Sequence, residues 1–551
     1  MRSSASDTFD EKPSDNGDFG KSKLQLFTGA HPILDCRQAS AYEAELLNTE
    51  GAEWNAMQAA GAALKQGIER DYLELGPLPE RLRVLVLVGK GNNTGDALIA
   101  AAEFLADYPR ARVHLLLVEP HNSIRPLPAR ALADLQGRVC EIEYNSSWSM
   151  EACHQRLNAA TDGEGYHICL DGLVGLSFKP PLRPRYAALI ESINGYQKIG
   201  LRAAVDLPSG CSNEIRGPVF QANMSYATGI AKAPLFYQSD FSSRVRYLDL
   251  GFFDKPENIP IETTDAILLP TLLNPLRALR PAHVDKRSFG HLFIVGGSSF
   301  MPGALLMSAQ AALRSGVGLV TAFAPASVAA ALAAKVPEAI WVPWPETASG
   351  TLCPKALHLL TERMERADAL LIGPGMDWNR DTEILTQEVL SAVNLPLIID
   401  ADALQSQTLD GIKKRKPGSG PVVLTPHMGE FMRVAKLNKP EVSSESLLSF
   451  CRRARVTLVL KGPQTRICNG RNIFISTHGG PVLSRGGSGD LLAGIMGGMI
   501  AQENSDLPIA AARAVLLHGL AAERLAQTRG QVAVSTTEVL NYLAEVLREP
   551  T

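Results

Sequence analysis

Short apolar runs that do not alternate with polar residues recur along the chain, and they constrain its fold more than any other feature. VLVLV (84–88), VHLLLV (113–118), HICLD (167–171) and LRAAVD (201–206) form a first series. A strand with one wet face alternates, whereas a strand in a parallel sheet covered on both faces reads as an unbroken run. Ala-rich stretches such as ALIAAAEFLADY (97–108) lie between them and suit the crossover helices that parallel strands require. A segment rich in Pro, Thr and Asn follows, KPENIPIETTDAILLPTLLNP (255–275). The pattern then restarts with HLFIV (291–295), GLVTAF (318–323), ALLI (369–372), LPLIID (395–400), PVVL (421–424) and VTLVLK (456–461). Two α/β domains of three-layer αβα type are predicted, at 26–255 and 281–551, joined by a linker at 256–280.

Composition narrows the partners. Hydrophobic residues make up 45% and charged residues 20% of the 551, enough for full-sized cores. The net charge of −3, with both signs mixed, offers no field for nucleic acid or an anionic membrane. The eight cysteines, Cys36, Cys140, Cys153, Cys169, Cys211, Cys353, Cys451 and Cys468, include no C-x-x-C pair. They suggest neither zinc nor a disulfide framework, and a reducing, cytoplasmic setting is expected. The opening MRSSASDTFDEKPSDNGDFGK is polar and acidic without a signal-like apolar core, so residues 1–25 are expected to be a disordered tail. The longest apolar run, LVTAFAPASVAAALAA from Leu319, is interrupted and falls short of the ~20 residues of a membrane span.

Ligands of open α/β sheets gather beyond the carboxyl ends of strands, so the residues after each run are the candidates. GKGNNTGDA (89–97) follows the first. A glycine-rich loop leading into a helix lets backbone N–H groups approach phosphate. It matches neither G-x-G-x-x-G nor a Walker P-loop, and a tight turn is the lesser alternative for it. Two further strands end in acids, at Asp171 and Asp206. Asn93, Asp171 and Ser209 are hard oxygen donors, suited with backbone carbonyls to a monovalent or alkaline-earth cation.

GKGNNTGD, LDGLVGLSF and AVDLPSG resemble, in order and spacing, the NAD(P)H-hydrate epimerase family, which usually carries GKGNNGGDG, D-x-L-x-G and D-[IL]-P-S-G. The resemblance implies a Rossmann-like domain whose Asn92, Asn93, Thr94, Gly95 and Asp96 bind substrate. It places potassium among Asn93, Asp171 and Ser209, and Asp206 against the nicotinamide ring as a catalytic group. Gly175, Leu176, Ser177, Phe178, Lys179, Pro180 and Pro181 would run near the nucleotide phosphates. Thr94 and Ala97 depart from the family's glycines, and a side chain at Thr94 is expected to crowd the backbone approach. CSNEIRG also replaces the acidic, Thr-Gly-containing segment usual after PSG.

The second series ends in GGSSFMPGALLMSAQAAL (296–313), IGPGM (372–376), IIDADAL (398–404), LTPHMGE (424–430), LKGPQT (460–465) and GGSGD (486–490). Singly each has a plain explanation: His427 as a bonded structural histidine, Lys461 as a surface lysine, Asp400 or Asp402 as a helix cap. The ordered set, closing on GGSGD before an apolar helix, points to chemistry. It resembles the anion hole of the ribokinase-like superfamily, where glycine amides and a helix N-terminus hold transferring phosphate and the aspartate is base to the attacking hydroxyl.

The combination of motifs over about 275–545 further resembles the ADP-dependent NAD(P)H-hydrate dehydratases. That resemblance implies that Ala304, Gly375, His427 and Asp490 contact the hydrated nucleotide, with Asp490 catalytic. Lys461, Gly462, Pro463, Gln464, Thr465 and Gly489 would hold ADP, or ATP, with Mg2+. Gly480-Pro481-Val482 stands where that family often has N-P-G, while His291 follows Phe289-Gly290 as it does there. Epimerase-like and dehydratase-like halves in this order resemble the bifunctional NAD(P)H-hydrate repair family, acting on small-molecule dinucleotides, and a homo-oligomer is expected. The alternative is a small-alcohol kinase of the same fold carrying a non-catalytic binding module.

Overall fold

The computed structural model describes residues 29–176, 178–237, 243–254, 263–440, 442–502 and 506–549. The expected tail, 1–25, lies outside the described residues, as does 256–262 of the expected linker.

The first series of apolar runs forms a seven-stranded sheet ordered Cys140–Glu143, Arg112–Leu117, Arg83–Val88, Tyr166–Gly172, Ile199–Val205, Met224–Thr228, Arg244–Leu248. Every neighbouring pair is parallel. Val84, Val86 and Val88 pack with Leu64, Ile68 and Phe104 of helices Glu50–Tyr72 and Asn92–Asp107. Leu85 and Leu87 face the other way, onto Leu189, Ile190 and Ile193 of helix Pro184–Gly195. Both faces are covered, which removes any need for polar alternation; each such side chain contributes ~1.5–3 kcal/mol relative to exposure. Strand order reverses between Arg83–Val88 and Tyr166–Gly172, and a crevice opens at their carboxyl ends.

The second sheet has twelve strands. Its core runs Ile340–Trp344, Leu319–Pro325, His291–Val295, Ala369–Ile372, Leu397–Ile399, Val422–Leu424, Thr457–Leu460, all parallel. Thr465–Cys468 and Ile473–Ser476 continue it antiparallel. The order again reverses, between His291–Val295 and Ala369–Ile372, so the loops after those strands meet. Helix Ser488–Gln502 crosses helix Pro302–Arg314 closely enough that a Cβ on Gly494 would overlap the Ser308 carbonyl and one on Gly498 the Ser315 hydroxyl. These glycines of GIMGG serve packing, unlike those of the turn before them.

The far edge corrects the expected partition. Ala30–Leu34, assigned from sequence to the first domain, pairs antiparallel with Asp265–Leu268 of the expected linker, and that strand pairs parallel with Ile473–Ser476. Ala231–Lys232 then adds to Ala30–Leu34, so strands flanking the first sheet complete the second. A four-residue run between Thr-Thr and Pro carries little local signal; its distant partners make it a strand. No described helix is long and apolar enough to cross a membrane.

Candidate active sites

The N-terminal crevice holds a cavity of about 600 Å³. Asn92, Asn93 and Asp96 reach it from the first turns of helix Asn92–Asp107, and Asp206 from the end of strand Ile199–Val205. Asp206 adopts φ +66, a left-handed geometry that Asp tolerates better than most residues, and its carboxylate turns inward. There its Oδ1 accepts from the Lys232 ammonium and from Thr228 N and Oγ1, both at 3.3 Å. Lys232 is fully buried, donates to Thr228 O at 3.0 Å and lies 3.7 Å from Glu43. Burial pushes the Asp96 carboxyl well above the usual carboxylate range, and Asp206 and Glu43 push the same way. The floor is thus acidic around one lysine, while Lys90, Arg125, Lys179 and Arg183 line the cavity with positive charge.

Beside the cavity, Asp171 is enclosed by bonds: Ser209 Oγ at 2.6 Å and Leu173 N at 3.3 Å to Oδ1, and Ser209 N at 2.7 Å to Oδ2. Burial raises its pKa to about 6 against the pull of the Ser209 bonds. Asn93 donates to Val205 O at 2.8 Å, and its Oδ1 occupies the place a Cβ on Gly175 would need. Asn93 Oδ1 thus lies against Gly175, while Ser209 Oγ, bonded to Asp171, also stands 3.5 Å from the Val174 carbonyl.

In the C-terminal half, Asp490 sits in the first turn of helix Ser488–Gln502, directly after the glycine turn. First-turn amides have no intrahelical partner, and Gly487, at φ +88, brings the chain round to present them. Lys461 bonds Asp400 at 2.8 Å and stands 3.9 Å from Glu430. Asp400 also receives the Thr425 hydroxyl at 2.8 Å. Burial works against charge on Lys461, but Asp400 and Glu430 more than offset it and hold the ammonium above its ordinary range. Burial, reinforced by Asp400, raises the Asp490 carboxyl to about 7, with Lys461 pulling it down. Ala304 and Gly375 adjoin: a Cβ on Gly375 would lie 2.9 Å from that of Ala304.

Two family models match the chain, one described as NAD(P)H-hydrate dehydratase over residues 292–545 and one as YjeF-related protein N-terminus over 54–233. The bifunctional NAD(P)H-hydrate repair enzyme of Moorella thermoacetica is 32% identical over 505 residues, covering 89% of this chain and 92% of that protein. The chain belongs to the bifunctional NAD(P)H-hydrate repair enzyme family. Among solved structures, a ribokinase-like superfamily protein of Enterococcus faecalis is 30% identical over 52% of this chain and 96% of its own, TM-score 0.46. An ADP/ATP-dependent NAD(P)H-hydrate dehydratase of Bacillus subtilis, co-crystallised with ATP/Mg2+, is 28% identical over 49% of this chain and 92% of its own, TM-score 0.43.

Several of the expected site residues carry structural bonds of their own. Thr94 does not crowd the crevice: it is buried, its hydroxyl donating to Gly172 O at 2.7 Å and accepting from Gly89 N at 2.9 Å. It stands in an ordinary helical turn, so the hydroxyl faces the sheet and pins the loop to it. Gly95 packs on Met57, where a Cβ would overlap the sulfur. Gly175, Leu176, Phe178, Lys179 and Pro181 line the cavity, Pro180 does not, and Ser177 lies outside the described residues. In the second half, His427 caps helix Met428–Ala435, its Nδ1 accepting from Gly429 N at 3.0 Å. Gln464 donates to Leu235 O of the first half at 2.8 Å. Thr465 closes its own turn onto Gly462 O at 3.3 Å.

Sequence reasoning missed Lys232 and Glu43 beside Asp206, and the buried His518 whose charge Lys461 opposes. The signal was there for two of them. A lysine in GIAKAPLF and a histidine in AVLLHGLAA interrupt apolar stretches, and such residues are buried only with a partner or a purpose. His518 Nε2 is buried without a hydrogen-bond partner among the described residues, and burial, then Lys461, lowers its pKa to about 4.

Proposed function

We propose that the chain repairs hydrated NADH and NADPH: the N-terminal half interconverts the R and S epimers and the C-terminal half dehydrates the S form with ADP. One observation carries the second activity. A carboxyl raised to about 7 stands in the first turn of a helix, behind a glycine turn and close to a lysine–aspartate pair.

In the dehydration, Asp490 takes the proton of the C6 hydroxyl as that oxygen bonds to the β-phosphorus of ADP. The bond from the β-phosphorus to the bridging oxygen breaks, and AMP leaves. Amides at Gly489 and Asp490, with the helix N-terminus, stabilise the charge growing on the phosphoryl oxygens. The C6–O bond then breaks with help from the ring nitrogen; phosphate departs and a proton is lost from C5, restoring the dihydropyridine. Lys461, held by Asp400, keeps a fixed positive charge beside the anion. Ala304, Gly375 and His427 are proposed contacts of the hydrated ring, and Gly462 and Pro463 of the adenine nucleotide. Among the described residues no three His, Cys, Asp or Glu side chains are grouped to hold a metal themselves. Magnesium therefore fits as a companion of the nucleotide phosphates, with Asp402 as a protein contact, and would neutralise the diphosphate.

For epimer exchange, the hydroxyl leaves C6 as water and water returns on either face. Asp96, whose carboxyl burial pushes up, supplies the proton, and the Asp206–Lys232 pair faces the ring. The cationic lining suits the diphosphate of the dinucleotide. Asn93, Asp171 and Ser209 are a donor set that would hold potassium, supplying positive charge beside the crevice. Eight free cysteines accord with a reducing cytoplasm.

The test is incubation of the full chain with resolved epimers of hydrated NADH. With ADP, both epimers are expected to be consumed and NADH, AMP and phosphate to appear in equal amounts; without ADP, the epimers should only interconvert. A stable phosphorylated product would point to the kinase alternative.

A further inference from the structure

The phosphate-cradling turn is preceded by a segment of low intrinsic stiffness, Gly479-Gly480, and by Arg485. One end of that segment is tied directly to the N-terminal half, and the other through Gln531. Arg244, on the edge strand Arg244–Leu248 of the seven-stranded sheet, grips Glu74 through two bonds of 2.6 and 2.9 Å and donates to Gly479 O at 2.8 Å. Two residues on, Arg246 is wholly buried between Asp71, at 3.0 and 3.1 Å, and Glu523 of helix Leu507–Arg529. Glu523 in turn accepts from Gly479 N at 2.9 Å and pairs with His478 Nδ1 at 3.1 Å. At the other end, Glu74 receives the side-chain amide of Gln531. The Gln531 carbonyl accepts from Arg485 at 3.0 Å, and Arg485 also donates to Val534 O at 2.7 Å. Gly486 follows at once, its carbonyl bonded to Thr536 Oγ1 at 2.9 Å.

Gly480 occupies the position where the dehydratase family often has asparagine. A Cβ there would lie 3.0 Å from the Arg244 guanidinium, so Gly480 lies directly against the arginine. An anion site built from backbone amides binds well only if those amides are held in place beforehand, because ordering a flexible segment is charged against the ligand.

Accepting the reading of Gly486–Gly489 as the phosphate cradle, we propose that Arg244 and Glu74, from the epimerase-like half, are positioning residues for the nucleotide of the dehydratase-like half. They hold the 479–487 segment from both sides, so nucleotide affinity in this chain depends on a domain that does not touch the nucleotide.

The full chain is compared with Arg244→Gln, Glu74→Gln and Arg244→Lys, by calorimetric titration with ADP and by KM and kcat for dehydration. Epimer exchange and the thermal midpoint serve as controls. Arg244→Gln and Glu74→Gln are expected to weaken ADP binding and raise its KM roughly tenfold, with kcat within about twofold and epimer exchange unchanged. Arg244→Lys should recover much of the affinity by restoring a donor to Gly479 O. Unchanged ADP affinity in both glutamine variants overturns the proposal. So does a parallel loss of both activities with a lowered midpoint, which marks a purely structural role. Because ADP binding is read directly, failure of the wild-type chain to dehydrate would fall on the functional reading and leave this test standing. Arg246 is set aside because removing it strands Asp71 and Glu523 as unpaired buried charges.

Discussion

The two crevices use the same three-part arrangement with opposite outcomes. Each has a lysine bonded to one aspartate and a second aspartate nearby whose carboxyl is pushed up: Lys232–Asp206 with Asp96, and Lys461–Asp400 with Asp490. Asp96 lies buried on the floor of the cavity, among further acids, and burial and those acids together push its carboxyl well above the usual range. Asp490 sits at a half-buried helix start with Lys461 opposing the shift, and stops at about 7. On the proposed reading, Asp96 is the proton donor of one site and Asp490, raised to about 7, the acceptor of the other. Depth of burial, rather than residue type, sets the direction of transfer.

The comparison breaks most sharply at Asp490. Asp490→Asn should reduce ADP-dependent recovery of NADH by about 10²–10⁴-fold while epimer exchange continues; retained recovery would refute the assignment. The same change should stabilise the fold. A carboxyl raised in the folded state binds its proton more tightly there than in the unfolded chain. Its stabilising contribution is complete below about pH 4 and is lost as pH climbs through about 7. Asn removes that loss, so a higher thermal midpoint at pH 8 is expected from calorimetry. In the other crevice, Asp96→Asn should slow epimer exchange by about 10²-fold and leave dehydration of the S form untouched. Equal rates of exchange in variant and parent, by chromatography of the epimers, would show that the donor lies elsewhere.

A subtler expectation concerns pH. Since Asp490 must be ionised to act, kcat/KM for dehydration should rise with pH through about 7. Lys461 holds that carboxyl down, and Asp400 holds it up. Lys461→Met removes the first and frees the second, so the acidic limb should move toward about pH 8. A limb that stays in place, or moves to lower pH, would mean that another group controls it.

Much of this was legible before any coordinates, and the limits have physical causes. The αβα layering follows from unbroken runs, because burial on both faces is a property of each strand by itself. The strand-end residues Asp171, Asp206 and Lys461 could be named because the crevice rule is topological, and Asn93 and Asp490 because glycine motifs lead into their helices. What stayed hidden depends on distant partners. Asp265–Leu268 is a strand only because Ile473–Ser476 and Ala30–Leu34 flank it. Lys232 and Glu43 enter the first site from elements that no glycine loop announces. Gln464, expected at the nucleotide, is claimed instead by a carbonyl of the other domain, which local spacing cannot reveal.

Thr94 gives the smallest effect and sharpens the distinction between lining a site and supporting one. Its hydroxyl bridges Gly89 N and Gly172 O in the core, one turn from Asn92 and Asn93 at the cavity. Thr94→Val keeps the shape and removes both bonds, leaving a buried amide and carbonyl short of a partner at a cost of about 1–3 kcal/mol. The expected result is a lower denaturation midpoint with KM for the hydrated dinucleotide and the exchange rate held within about twofold. A group that touched substrate would show the reverse, a raised KM at unchanged stability. The departure from the family's glycine is thus accommodated because the added atoms point into the sheet, where they replace mobility with two fixed bonds and leave the crevice its room.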